Sequence, residues 1–516
     1  MSHINAELAE KSPNEFALGD ERQTFNRKEL NDTLNRAANA LRDLGLPEDA
    51  RVAVFARNSV ECILAYQAAL HAGISSVPIS AHFTVDEVAF ILENSGTQVL
   101  MVGPETVEVG RQAAERAGVK LVFGWRLEAG TDIQDWRAWI DLASADAPPD
   151  DIAPVPHLHY TSGTTGLPKG TGTPPALFPV QPTVRDFFET LKKGRPGLSN
   201  PSPAMIVSPL HHTGPLISMR LLGAGIAIYI MSRFDAETVL KQIDHHKIKG
   251  VMMVPTHFQR LLDLPEEVRK KYDVSSLDQV THTGSACPRD VKHRMIEWFG
   301  PVLVEAYGAT ESGSTNMISS EEWLKKPGSV GKTMPPFEVV VVSEDGKELG
   351  VNEVGELYFR DTSGRGIIYH NNPEKTQEAH REPGVFTLGE MGYVDDDGYV
   401  FITDRVTDMI ISGGVNIYPA EIEDVLSQHK EIDDIAIIGV PNKEMGEEVK
   451  ALVIPVDAAN PPTEEAIDSF CRERLAGYKC PRSYEYVDDI GRNPMGKVNK
   501  KALRKPYWPT DRTIGG

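Results

Sequence analysis

The run Tyr-Thr-Ser-Gly-Thr-Thr-Gly-Leu-Pro-Lys-Gly at positions 160–170 constrains this chain more than any other segment. Its glycines let the backbone fold closely around an anion, and its successive N–H groups, hydroxyls and lysine supply donors and charge. A Walker loop would need Gly-Lys-Ser/Thr where this chain has Pro168-Lys169-Gly170. A flexible linker is the alternative, but a linker does not require this order. The run predicts a cradle for a triphosphate.

Composition narrows the class of protein. The chain has 516 residues, of which 41% are hydrophobic and 25% charged, as in a globular protein with more than one domain. The net charge of −21 disfavours nucleic acid as the main partner, because phosphate backbones attract basic surfaces. Neither a signal peptide nor a run of ~20 apolar residues is visible, and the four cysteines form no zinc spacing. We expect a cytoplasmic enzyme with no integral membrane segment and no structural metal.

The first third of the chain alternates between helix and strand patterns, which predicts parallel sheet with helical crossovers. Capping boxes at Asn26/Glu29 and Thr84/Glu87 predict two helix starts. Further predicted elements are strands at 52–55, 99–102, 119–123, 250–254 and 279–283, and helices at 60–72 and 108–117. Residues 171–203 are rich in Pro, Gly and Ser, and predict a loop.

The pattern changes twice in the second half. Residues 328–360 alternate in a way that suits antiparallel β structure with glycine turns. After 404–408 the chain predicts helices at 420–428 and 464–475 and strands at 435–440 and 449–455. The predicted fold class is α/β. A large N-terminal domain (1–404) of αβ-layered sheets plus a β subdomain is followed by a hinge (405–408) and a small mobile α+β lid domain (409–516).

Four further segments carry candidate chemistry, each weakly alone. They are Thr-Gly-Ser-Ala-Cys-Pro at 283–288, Tyr-Gly-Ala-Thr-Glu-Ser at 307–312, the run from Asp404 to Asn416 and Asn-Pro-Met-Gly-Lys-Val-Asn at 493–499. Small residues after a strand let a planar base approach the backbone. The Tyr307 ring could stack on adenine, Thr310 could donate to a phosphate, and Glu311 could hold Mg²⁺, which prefers oxygen ligands.

Together with the 160–170 run, these segments resemble the superfamily of adenylate-forming enzymes: acyl-CoA synthetases, carrier-protein adenylation domains and firefly luciferase. The resemblance runs from about Phe25 to Leu503 in the family's order. It is strongest to AMP-forming acyl-CoA ligases, and it implies a carboxylic acid, ATP, Mg²⁺ and coenzyme A as ligands.

The same resemblance implies roles for individual residues. The β and γ phosphates would be cradled by Thr161, Ser162, Gly163, Thr164, Thr165, Gly166 and Lys169. The adenine would lie between Gly284, Ser285 and Ala286 and the Tyr307–Gly308 pair. Glu311 would carry Mg²⁺, and Arg405 would reach the ribose and phosphate.

The catalytic step and the second substrate are assigned in the same way. Lys497 would bridge the acyl carboxylate and the α-phosphate. The pantetheine route would be lined by Ser412, Gly413, Gly414 and Asn416. His212 would lie beside the acyl pocket, although an isolated histidine is more often a satisfied core or surface residue. The other expected pocket residues are Gly214, residues 255–258, His282 and Gly308.

Three positions depart from the family pattern. Leu388-Gly389-Glu390 stands where relatives commonly have Thr-Gly-Asp, so Glu390 is the predicted ribose ligand. Thr407 stands at the pivot, where Asp or Lys is usual. Thr-Gly-Thr-Pro-Pro follows Gly170, where relatives often have a valine and then a histidine.

The sequence thus predicts a two-step acid–CoA ligase acting on a hydrophobic acid: fatty, aryl or polycyclic. An enzyme that loads a carrier protein in trans and a catalytically silent nucleotide-binding homologue are the alternatives. Dimers are common among such enzymes, so a homodimer is one possible state.

Overall fold

Residues 3–161, 168–194, 203–405, 407–412, 415–443, 445–493 and 496–508 are described by a computed structural model. The elements of residues 3–161 are α1 (His3–Lys11), β1 (Phe16–Gly19), β2 (Thr24–Asn26), α2 (Arg27–Asp43), β3 (Arg51–Phe55), α3 (Val60–His71), β4 (Ser75–Ile79), α4 (Val85–Ser95), β5 (Thr97–Val102), α5 (Val107–Ala117), β6 (Leu121–Gly124), β7 (Gln134–Asp135), α6 (Trp136–Asp141) and β8 (Leu158–Thr161).

The middle of the chain contributes β9 (Lys169–Gly172), α7 (Val184–Lys193), β10 (Ala204–Ile206), α8 (Thr213–Met219), β11 (Ile228–Ile230), α9 (Ala236–His246), β12 (Gly250–Met253), α10 (Pro255–Leu262), α11 (Glu266–Arg269), β13 (Gln279–His282), α12 (Arg289–Phe299), β14 (Leu303–Ala309), β15 (Gly313–Ser319), α13 (Ser320–Lys325), β16 (Lys332–Thr333), β17 (Phe337–Val342), β18 (Gly355–Asp361), α14 (Pro373–Glu378), β19 (His380–Glu382), β20 (Val385–Val394) and β21 (Val400–Arg405). The C-terminal part contributes β22 (Ile410–Ser412), β23 (Val415–Ile417), α15 (Pro419–Leu426), β24 (Ile432–Asn442), β25 (Gly446–Pro455), α16 (Glu464–Arg472), β26 (Ser483–Tyr486) and α17 (Lys500–Arg504).

Two sheets enclose the main core of the large N-terminal domain. One is parallel, in the order β4-β3-β5-β6-β7. The other has the order β16-β15-β14-β13-β12-β10-β11-β1-β2, and its strands from β14 to β1 are mutually parallel. Both sheets contribute to one apolar cluster with α2 and α3. Almost every side chain of α3 is buried, because its sequence is apolar on all faces.

The predicted helix starts are confirmed. Asn26 and Glu29 form the capping box of α2, and Thr84 and Glu87 form that of α4. Leu30, one residue after Glu29 in α2, is fully buried. The predicted strand and helix alternation of the first third is therefore present, with boundaries shifted by one or two residues.

The predicted loop over 171–203 is wrong in part. β9 continues to Gly172, and α7 follows Thr183, whose hydroxyl accepts the Asp186 N–H. Phe187 and Phe188 are fully buried on one face of α7, and the Phe188 ring stacks on His71 at 4.9 Å. Burial of these two aromatic side chains stabilises the helix by more than the flanking Pro and Gly residues destabilise it.

The remaining sheets confirm the predicted α/β class with a β subdomain and a small C-terminal domain. β17, β18, β20, β19 and β21 form an antiparallel sheet, as the alternation around Val339 predicted. The C-terminal sheet has the order β23-β22-β25-β24, with β26 parallel to β25. The hinge boundaries at 405–408 stay a prediction.

None of the helices in the described residues combines the length and the apolar character that crossing a bilayer requires.

Candidate active site

Four neighbouring parallel strands, β10, β12, β13 and β14, end at the same edge of the large sheet. Ligands of open α/β sheets bind at such carboxyl ends. The residues at or beyond the ends of these strands include His212, Thr256, Gly284 and the segment 307–311. The topology therefore gathers residues that are far apart in the chain, including several of those that the motifs predicted.

The turn between β14 and β15 carries Thr310 and Glu311. A Cβ at Gly308 would lie 2.0 Å from the carbonyl oxygen of Gly313, so the two strands approach too closely for any side chain there. The Thr310 hydroxyl lies 2.7 Å from the Thr213 hydroxyl, at the start of α8. The turn is thereby fastened to the helix that follows His212.

The ends of the predicted phosphate loop are held by a two-stranded hairpin. Thr161 in β8 pairs with Lys169 in β9. Ser162, Gly163, Thr164, Thr165 and Gly166, the other predicted phosphate ligands, lie outside the described residues. The segment 368–370 extends this hairpin, since the Gly172 N–H donates to the Ile368 carbonyl at 3.0 Å and the His370 N–H to Gly170 at 2.9 Å.

Glu311 faces the hairpin. The hydroxyl of Tyr369 donates a hydrogen bond to its carboxylate, and burial together with that negative charge raises the pKa of Tyr369. Lys169 lies near the same carboxylate. Partial burial and the neighbouring Lys375 lower the pKa of Lys169 to about 8, against the opposing attraction of Glu311 and Glu378. Lys169 and Glu311 are therefore near each other.

The predicted adenine residues lie at the ends of β13 and β14. Gly284 has φ +97°, a left-handed conformation that suits glycine, and Ser285 and Ala286 follow it. The Tyr307 ring is half-buried, with its centroid 6.1 Å from that of Phe359.

A buried ion pair underlies this region. The Lys292 ammonium lies 2.5 Å from the Glu305 carboxylate, and Lys292 is fully buried. Burial raises the pKa of Glu305, although the lysine opposes that shift. Because Glu305 lies in β14 and Lys292 in α12, the pair ties the strand that carries Tyr307 to the helix behind it.

The predicted ribose residues are neighbours in the β subdomain. Glu390 in β20 pairs with Arg405 in β21 in an antiparallel register. This pairing concerns the backbone, and the side chain of Arg405 lies outside the described residues.

Lys497 occupies a tight turn of the C-terminal domain. The Lys497 N–H donates to the Asn493 side-chain oxygen at 3.0 Å, and the Asn493 N–H donates back to the Lys497 carbonyl at 3.0 Å. Gly496 has φ +73°, and a Cβ there would lie 2.7 Å from Cγ2 of Thr256 at the start of α10. The turn is thus packed directly against the large domain.

His212 of the large domain lies near this turn. Burial, followed by the charges of His159 and Lys497, lowers the pKa of His212 to about 3, so its ring is neutral at pH 7. The ring Nε2 is buried and has no hydrogen-bond partner among the described residues. Lys497 therefore lies close enough to the His212 ring for its charge to act on that ring.

Further contacts hold the C-terminal domain in this position. Asp424 in α15 accepts the Arg289 N–H at 3.3 Å and lies 3.7 Å from its guanidinium. The Asp404 carboxylate accepts the Ala420 N–H at 2.9 Å.

The predicted pantetheine residues are in the β22–β23 hairpin. Ser412 pairs with Val415, and Ile411 pairs with Asn416. Gly413 and Gly414 lie outside the described residues. Within the part of the chain that the structure describes, Asn416 hydrogen-bonds Tyr418, and no contact joins it to Lys169 or Glu311.

Two residues of this site were missed by the sequence analysis. Tyr369 and Lys375 belong to the polar run Tyr-His-Asn-Asn-Pro-Glu-Lys-Thr at 369–376. A signal was present, because Asn372 followed by Pro373 is a helix start: the Asn372 side chain accepts the Lys375 N–H. Nothing in that run indicated which other strand it would pair with.

The chain is similar to known protein families over most of its length. Residues 6–365 match the family model of the AMP-binding enzymes, and residues 421–497 match that of their C-terminal domain. The long-chain-fatty-acid–CoA ligase FadD13 of Mycobacterium tuberculosis is 32% identical over 505 residues, covering 95% of this chain and 94% of the relative. The oxalate–CoA ligase of Arabidopsis thaliana is 30% identical over 525 residues, covering 98% of each.

A solved structure shows the same fold. The o-succinylbenzoate CoA synthetase (MenE) of Bacillus subtilis, in complex with the acyl-adenylate intermediate OSB-AMP, has a TM-score of 0.77, 25% identity and 98% coverage of both chains. The chain belongs to the AMP-binding enzyme family. Within the adenylate-forming superfamily it is an AMP-forming acid–thiol ligase that uses ATP, Mg²⁺ and CoA, as the motifs predicted.

Proposed function

We propose that this chain joins a hydrophobic monocarboxylic acid to CoA through an acyl-adenylate. The observation that carries the proposal is the position of Lys497 beside His212, at the sheet edge where Thr310 and Glu311 also lie. In this proposal, that cation of the small domain acts between the predicted acyl pocket and the predicted phosphate site.

In the first step a carboxylate oxygen attacks the α-phosphorus of ATP, and pyrophosphate leaves. Negative charge builds on the oxygens around phosphorus, and the Lys497 ammonium stabilises it from a preorganised position. Lys169, with Thr161 and the 162–166 loop, holds the β and γ phosphates. The oxygen donors of Glu311 and Thr310 fit Mg²⁺, which neutralises phosphate charge when bound.

The adenosine is held by the other predicted residues. Gly284, Ser285 and Ala286 offer a backbone without bulky side chains, and the half-buried Tyr307 ring offers an apolar face beside Gly308. Glu390 and Arg405 bind the ribose from neighbouring strands.

In the second step the CoA sulfur attacks the acyl carbonyl carbon, and AMP leaves with the bridging oxygen. The small domain turns about 405–408, which requires the Arg289–Asp424 contact to open. Ser412, Gly413, Gly414 and Asn416 then line the pantetheine route. Loading of a carrier protein in trans, a homodimer and a cytoplasmic location stay predictions.

The neutral state of two buried histidines near the predicted acyl pocket supports a monocarboxylic acid as the substrate. Burial, the largest cause in each case, lowers the pKa of both His159 and His212 to about 3. Neutral rings offer no fixed positive charge to a second carboxylate. The buried Arg220 guanidinium is already bonded to the Leu177 carbonyl at 2.7 Å and to the His157 ring.

The packing of the acyl side supports an apolar chain or ring. The Met252 thioether covers Gly214, since a Cβ at Gly214 would lie 2.2 Å from the sulfur. Phe258 is fully buried, and its ring centroid lies 5.3 Å from that of His282. A thioether on an unbranched chain adapts its shape to apolar ligands of different outline.

An acid panel tests the substrate class. Pyrophosphate release is measured with fatty acids of increasing length, aryl acids, polycyclic acids, oxalate and malonate. We expect the best apolar acid to exceed oxalate about hundredfold in kcat/KM, because burying a second carboxylate without a cation is costly. Parallel reactions with CoA and with a phosphopantetheine-bearing carrier protein identify the acceptor. Preference for oxalate or malonate would contradict the proposed substrate.

A further inference from the structure

A second lysine lies beside Lys169. Lys375, on the first turn of α14, has its side-chain nitrogen close enough to that of Lys169 to lower the pKa of Lys169. Its ammonium nitrogen is also 5.2 Å from the centre of the Tyr369 ring, the same ring whose hydroxyl donates to Glu311. Lys375 is half-buried, whereas its helix neighbours Glu374 and Glu378 are exposed.

The fold holds this contact in place. Tyr369 pairs with Thr171 in an isolated antiparallel bridge, two residues beyond Lys169. The Tyr369 N–H donates to the Thr376 hydroxyl at 3.0 Å, and the Lys375 N–H donates to the Asn372 side chain at 3.0 Å. The position of Lys375 is therefore set by backbone pairing with the phosphate hairpin and by a capped helix start.

The two ammonium groups repel each other in the absence of an anion. In the part of the chain that the structure describes, no carboxylate oxygen lies within 4.0 Å of either nitrogen, the distance of an ion pair. Glu311 and Glu378 lie near enough to attract Lys169 without forming an ion pair with it. Two neighbouring lysines in such surroundings are suited to a polyanion. Each would interact favourably with the same di- or triphosphate.

We propose that Lys375 is a second positioning cation for the β and γ phosphates of ATP and for the departing pyrophosphate, acting together with Lys169. This inference rests on the proposed function, because it assumes that ATP binds at the hairpin. It assigns Lys375 to the first half-reaction alone, since AMP has no β or γ phosphate and the thioester step does not involve them.

Binding measurements test the inference without catalysis. The affinities of AMP and of α,β-methylene-ATP, which cannot transfer its adenylyl group, are measured calorimetrically with Mg²⁺ for the wild-type chain and for Lys375→Met. We expect the variant to bind the triphosphate analogue about tenfold more weakly, as expected for one cation near a partly solvated polyanion. AMP affinity should be unchanged, and Lys375→Arg should restore most of the loss.

Two controls separate this effect from others. Lys347→Met removes a lysine whose side chain is 78% exposed and paired with Asp345, and it should change neither affinity. Thioester formation from presynthesised acyl-adenylate should keep its wild-type rate in Lys375→Met. Equal losses for AMP and the analogue, or no loss for the analogue, would overturn the role of Lys375.

The result for the wild-type chain separates a failure of the proposed function from a failure of the role of Lys375. If the wild-type chain does not bind the analogue, the proposed function and this inference fail together. If it binds the analogue and forms acyl-CoA while Lys375→Met behaves identically, this inference alone fails.

Discussion

Lys497→Ala is expected to slow adenylate formation about a hundredfold or more, while thioester formation from a presynthesised acyl-adenylate stays near the wild-type rate. The physical reason is that, in the proposed mechanism, Lys497 stabilises the charge that develops around the α-phosphorus in the first step. Loss of one preorganised donor at such a position costs ~3 kcal/mol. The half-reactions are measured separately, by ATP–pyrophosphate exchange and by acyl-CoA release.

The matched control is Lys501→Ala, which removes an exposed lysine four positions further along the same segment. It should leave both half-reactions unchanged. Exchange at the wild-type rate in Lys497→Ala would show that another group stabilises the transition state. Equal losses in both half-reactions would indicate a general disturbance of the C-terminal domain.

The second large effect is expected for Gly308→Ala. The new methyl group would lie 2.0 Å from the Gly313 carbonyl oxygen and 2.8 Å from the Ser314 Cα, and backbone atoms cannot move aside as a flexible side chain can. Overpacking of this kind destabilises by about 3 kcal/mol. The β14–β15 turn must open, and it carries Thr310 and Glu311. We expect a lower midpoint of thermal unfolding together with a large loss of Mg-ATP affinity.

Gly477→Ala serves as the control, because its nearest neighbour is the flexible end of Arg472 at 3.2 Å. That variant should keep both the unfolding midpoint and the nucleotide affinity. A Gly308→Ala protein with unchanged stability and affinity would mean that the turn is not as closely packed as the structure shows.

Much of the fold could be predicted from local sequence patterns. The capping boxes at Asn26 and Thr84 and the alternation around Val339 depend on residues close in sequence, so they could be predicted directly. The helix α7 could not, since its Phe187–Phe188 pair is stabilised by distant partners such as His71. The loop was predicted from the flanking prolines and glycines, and composition contains no information about packing against residues elsewhere in the chain.

The same distinction applies to the site. The motifs assigned Lys169 and Glu311 to one nucleotide site only through the family resemblance, because residues 142 positions apart have no local signal. Tyr369 and Lys375 were missed because the bridge between Tyr369 and Thr171 brings them to the hairpin. Pairing between two distant segments cannot be predicted from the sequence of either segment alone. The surroundings of Gly308 likewise depend on β15 returning beside β14.

An oxygen-labelling experiment tests the central claim most directly. The acid is supplied with ¹⁸O in both carboxylate positions, together with Mg-ATP and CoA, and the AMP and acyl-CoA are analysed by mass spectrometry. Attack of the carboxylate on the α-phosphorus predicts one ¹⁸O atom in each AMP and one in each acyl-CoA. Formation of ADP, or of AMP that contains no label, would contradict an acyl-adenylate pathway.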